Sequence, residues 1–105
     1  MINSEMPSGS TLEAIKGTLK NHLPSLSRRY SVKRLGIFGA YVKGESRRDS
    51  DLDLLVEFDA TPTIFEFVRL EMELANLLGV EVDLVMKTAL KPEIGKHILS
   101  EVVPV

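Results

Sequence analysis

The chain predicts a small α/β domain, a mixed β-sheet packed with helices. Two observations carry this expectation. Segments with apolar residues at helical spacing alternate with short runs rich in Val, Ile and Leu, in the order α-β-α-β-α-β-α. The run Leu54-Leu55-Val56 is apolar without alternation, which fits a strand covered on both faces at the centre of a sheet. With 105 residues the chain can build one modest core and not two.

Taken in order, residues 1–9 are rich in Ser, Asn, Gly and Pro and predict a disordered tail, which leaves 10–105 as the single domain. Ser10-Thr11-Leu12-Glu13 fits a capping box, and Leu12, Ile15, Leu19 and Leu23 follow on one helical face. Pro24 lacks a backbone donor, so the helix is expected to break there, with a short helical turn carrying Leu26 to Tyr30. Val32 to Phe38 reads as a strand, Gly39 to Arg48 as a loop with a short helix, and Asp51 to Phe58 as a second strand. Thr63 and Glu66 form another capping box, ahead of a core face of Ile64, Phe67, Leu70, Leu74, Leu77 and Leu78 that Gly79 is placed to end. Val80 to Met86 reads as a third strand. Pro92 suits a first helical position, and Ile94, Ile98 and Leu99 give the last helix an apolar side.

Bulk properties narrow the function classes. A formal net charge of −2 does not supply the basic field that direct nucleic-acid binding needs. The chain has no cysteine, which removes disulfides and thiolate zinc sites and suits a reducing cytoplasm. Its first residues lack the apolar core of a signal peptide, and no apolar run approaches the roughly 18 residues of a membrane helix. The expectation is a cytoplasmic protein with no membrane contact.

Two segments carry chemistry. Asp51 and Asp53 stand two apart at the start of an apolar strand, so they share one face. Adjacent carboxylates beside a core repel each other and lose hydration unless a metal or donors compensate, and hard cations such as Mg²⁺ take oxygen ligands. Asp83 interrupts a third apolar strand in the same way. If that strand lies beside Asp51–Phe58, the acids can converge and hold two ions about 3.5–4 Å apart, as in in-line nucleotidyl transfer. Asp83 could then take the proton of an attacking hydroxyl. Gly39 opens a turn whose free N–H groups can hold a phosphate, and Lys43, Arg47 and Arg48 add cationic charge nearby. Simpler readings stand beside these: a solvated acidic strand start, a structural ion pair for Asp83, and loop cations on ordinary surface. The frame from Gly39 to Ser46 imitates a P-loop, but Glu45 occupies the lysine position and would repel phosphate.

Gly39-Ala40, ten residues, then Asp51-Leu52-Asp53 resembles the Gly-Ser-x10-Asp-x-Asp signature of the polymerase-beta nucleotidyltransferase superfamily. GAYVKGESRRDSDLDLLVEF, with the later VEVDLV, is similar to the minimal nucleotidyltransferases, whose members include antitoxins paired with HEPN toxins. The resemblance runs from about Val32 to Val105. It implies the nucleotidyltransferase fold, with Asp51, Asp53 and Asp83 as catalytic acids and ligands for one or two Mg²⁺ ions. It implies a nucleotide-binding role for Gly39 and Ala40, beside which Lys43 and Arg47 can bind phosphate. It further implies transfer of AMP from ATP to a hydroxyl, a tyrosine of a HEPN-type partner; a homo- or hetero-oligomer is compatible with the sequence, which does not decide it.

Ala40 departs from the pattern, which has Ser there. A hydrogen bond to a charged group is worth about 1.5–3 kcal/mol, so its loss at the transition state costs roughly ten- to hundredfold in rate. The alternative is therefore an antitoxin of the same fold that has lost most catalysis and acts by binding its HEPN-type toxin directly.

Overall fold

The computed structural model describes residues 12–44 and 51–105. The expected tail, the Ser10 cap, Arg47, Arg48 and Ser50, expected as a turn former ahead of the second strand, lie outside the described residues. The elements are α1 (Leu12–Tyr30), β1 (Val32–Phe38), α2 (Ala40–Lys43), β2 (Leu52–Phe58), α3 (Ile64–Leu78), β3 (Val82–Met86), α4 (Pro92–Glu101) and β4 (Val103–Pro104), with a 3-10 turn at Lys87–Ala89. The alternation expected from the sequence is present, extended by the short β4.

The four strands form one mixed sheet in the order β3-β2-β1-β4. β1 runs antiparallel to both β2 and β4, while β2 and β3 are parallel and joined through α3. β2 is thus internal, and its strict alternation sorts its side chains. Leu52, Leu54 and Val56 enter the main core with Ile15, Leu19 and Leu26 of α1 and Leu70, Leu74 and Leu78 of α3. Asp53, Leu55 and Glu57 take the other face, where Leu55 is also buried beside Gly36, Leu99 and Pro104. Both faces of β2 are covered, as its unbroken apolar run predicts.

α1 corrects one expectation, because it continues through Pro24 as a single helix to Tyr30. Leu26 is as fully buried as Ile15 and Leu19, so burial of that face holds the helix across the proline. Pro24 itself is exposed, as is Lys20, whose carbonyl loses its partner and can be hydrated. The end of α1 is tied to α3 through Glu73, which accepts from Arg29 and, at 2.8 Å, from the Tyr30 hydroxyl. The Arg29 guanidinium holds the Glu73 carboxyl below the usual carboxylate range.

α3 follows its local signals: Thr63 and Glu66 form the capping box, and Gly79 closes the helix in the left-handed conformation. Its assigned core face needs one correction. Ile64 is 68% exposed in a first turn that leaves Phe65 exposed as well, whereas Leu70, Leu74 and Leu78 further along are buried. The apolar side of α4 is likewise only partly used, with Ile94 and Leu99 exposed and Gly95 buried. β3 begins at Val82, two residues later than the apolar pattern indicates.

Candidate functional site

The site lies on the sheet face opposite the main core, at the end of β2 where the chain enters it. Parallel register sets Asp53 of β2 directly beside Asp83 of β3. On its other side Asp53 pairs with Phe38, the last residue of β1, so Gly39 follows immediately next to it. Gly39 has φ 81°, a conformation that disfavours any side chain. A Cβ there would also fall 2.1 Å from Asp53 Oδ2. Glycine is thus required twice, by backbone angle and by space.

Asp51 precedes the strand and is exposed, as is Asp83, while Asp53 is half-buried between the two flanking strands. Loss of hydration, and then the negative charges of Asp83 and Asp51, push the Asp53 carboxyl above the usual aspartate range. Of the expected acids, Asp53 and Asp83 are thus neighbours in register, and Asp53 feels the charge of the other two. Among the described residues no cation pairs with any of them. The structural ion-pair reading of Asp83 therefore finds no partner among those residues.

Among the described residues, no set of at least three acidic or histidine side chains is already drawn into a metal cage. Mg²⁺ does not require one, since it binds through one or two carboxylates and keeps water or phosphate oxygens elsewhere. Adjacent Asp53 and Asp83, with a side-chain-free approach at Gly39, fit such an ion.

Gly39 caps α2, a single turn in which Val42 and Lys43 donate back to the Gly39 carbonyl. Ala40 is the first residue of that turn, and Tyr41 behind it is buried in the core. Lys43 does not reach back to the acids. Its ammonium lies 3.9 Å from Glu101, which His97 also approaches at 3.5 Å. Arg47 lies outside the described residues. A feature that sequence reading passed over is Glu71 of α3, which accepts a 2.9 Å bond from the Leu84 N–H, next to Asp83. The available signal was an acid set one residue after Leu70 and three before Leu74 on a core-facing helix.

A mixed sheet with its main core under α1 and α3, and neighbouring acids on the other face beside a glycine-led turn, is an α/β domain whose acids and turn could hold a metal-bound phosphate. The chain belongs to the nucleotidyltransferase domain family, whose model matches residues 19–105. It is 48% identical over 93 residues to the protein adenylyltransferase MntA of Thermococcus cleftensis, covering 89% of this chain and 94% of that one. A solved minimal nucleotidyltransferase superposes with a TM-score of 0.78 at 38% identity, over 98% of this chain and 100% of that chain. A complex of a tri-AMPylated Shewanella oneidensis HEPN toxin with its MNT antitoxin also matches in fold, with a TM-score of 0.61. That match is 20% identical and spans 86% of this chain and 70% of that one. Among the described residues, no helix is long and apolar enough to cross a membrane.

Proposed function

We propose that this chain is a protein adenylyltransferase that moves AMP from ATP to a tyrosine hydroxyl of a HEPN-type partner, and so acts in the cytoplasm as an antitoxin. The observation that carries the reading is Asp53 set side by side with Asp83 and against Gly39, within the field of Asp51. The 48% identical relative named as a protein adenylyltransferase supports the donor and the protein acceptor, and the AMPylated toxin of the fold neighbour supports the partner class.

In this reading Asp51, Asp53 and Asp83 would hold Mg²⁺, as one or two ions, which supplies charge neutralisation to the triphosphate. Gly39 and Ala40 offer backbone N–H groups to phosphate oxygens, with Lys43 and Arg47 as cations. Lys43 leaves Glu101 at little cost, because a pair 3.9 Å apart with an exposed ammonium is weak. The acceptor oxygen bonds to the α-phosphorus, the bond to the bridging oxygen breaks, and pyrophosphate departs. Asp83, the exposed acid on the edge strand, takes the hydroxyl proton.

Ala40 favours a second reading, in which turnover is weak and the chain neutralises its toxin by contact. Labelled ATP, Mg²⁺ and a candidate HEPN partner separate the two. Adenylyl transfer predicts a labelled partner, loss of label in Asp51→Asn, and a rise of roughly ten- to hundredfold in Ala40→Ser. If Mg²⁺–ATP neither binds nor reacts while the partner complex forms, the chain is a binding module.

A further inference from the structure

We infer that Glu71 is a positioning residue for Asp83. This inference rests on the adenylyl-transfer reading and adds to it the part that holds the third acid in place. β3 is the edge strand of the sheet, with β2 on one side only. An edge strand has outward N–H groups with no strand to receive them, and it can shift or fray where they are unmet. At Leu84 that group is met by Glu71, whose Oε2 accepts from the Leu84 nitrogen at 2.9 Å in a partly buried setting. The peptide unit so anchored is the one that leaves Asp83. Its inner neighbour is Asp53, in register. The Leu84 side chain is buried in the core, which fixes the same point from a third direction.

The anchor is a carboxylate, though a carboxylate here adds negative charge near a cluster that already repels itself. Helix stability gives no reason for it, because α3 has its own cap at Thr63 and its own buried stripe. Among the described residues Glu71 has no salt bridge. What it does hold is the backbone beside the acid that receives the acceptor's proton. Glu71 holds the backbone of Asp83 and not its carboxylate, so its loss loosens the aim of that acid without removing a metal ligand, and should slow proton removal and acceptor attack more than it weakens metal–ATP capture.

The test compares wild type, Glu71→Ala and Glu71→Gln, since Gln keeps an oxygen acceptor and removes the charge. Mn²⁺–ATP affinity is read by electron paramagnetic resonance, and transfer by label reaching the HEPN partner. Positioning predicts that Glu71→Ala lowers the transfer rate roughly ten- to hundredfold. Mn²⁺–ATP affinity should stay within about twofold, and Glu71→Gln should recover most of the rate. Leu84 amide exchange should accelerate in Glu71→Ala and not in Glu71→Gln. Two results overturn the inference: Glu71→Ala as fast as wild type, or both variants losing Mn²⁺–ATP binding and transfer in equal measure, the mark of a general strut. A wild-type chain that transfers nothing sinks the adenylyl-transfer reading instead, whatever the variants do.

Discussion

Gly39 and Asp53 need the same small volume, and the glycine yields it. The carboxylate then stands where a Cβ would be, half-buried and facing two like charges. This arrangement opposes folding when no cation is present. Because the folded-state value of Asp53 is raised, the native protein binds more protons than the unfolded chain between the ordinary aspartate value and the raised one. Stability therefore falls as pH rises through that window, and the loss persists at neutral pH. Metal-free Asp53→Asn should melt above wild type at pH 7, and the difference should close near about pH 3, where the carboxyl is protonated in both folded and unfolded chains. Added Mg²⁺ should raise the melting temperature of wild type more than that of the variant. Thermal scans with chelator and with Mg²⁺ check this, and a variant that melts lower at pH 7 would show Asp53 to be a structural partner.

Elements with strong local signals were legible in the sequence. The ends of α3 follow from Thr63, Glu66 and Gly79, each acting within one turn of itself. Where distant packing decides, the local rule fails. Pro24 reads as a break, yet Leu26 is drawn into the same core as Ile15 and Leu19 earlier on α1. The proline is thus carried at a cost, and Pro24→Ala should stabilise the protein by about 1–3 kcal/mol in urea unfolding, with no change in oligomeric state. β4 was hidden for a related reason. Two residues, one of them proline, carry no strand signal, and their place depends on Gly36, where a Cβ would meet Val102 at 2.5 Å. The acids of the site were legible because two-residue periodicity and an apolar setting mark them. Glu71 was not, because its partner is a backbone group thirteen residues away, exposed only by the order of the strands.

For the whole molecule, the sheet separates two tasks. The face under α1 and α3 holds the main core, to which α2 contributes Tyr41, and the other carries Asp53, Leu55 and Glu57, with Leu99 of α4 beside Leu55. α3 has a third aspect, directed outward, where Phe65 is 79% exposed beside Ile64, Val68 and Met72. These side chains contribute little to folding. Phe65→Asp should leave stability within roughly 0.5 kcal/mol, whereas Leu74→Ala on the buried side of the same helix should cost about 2–5 kcal/mol. Parallel denaturation curves of the two variants check the contrast.

Ala40 belongs to this division. It opens a single helical turn, half-buried, and is not itself a member of the core cluster, although Tyr41 beside it is. Ala40→Ser adds a single oxygen at that half-buried position, and should leave the melting temperature nearly unchanged whatever it does to transfer. In a domain built this way, the residue after Gly39 can be exchanged without rebuilding the buried cluster beneath the sheet.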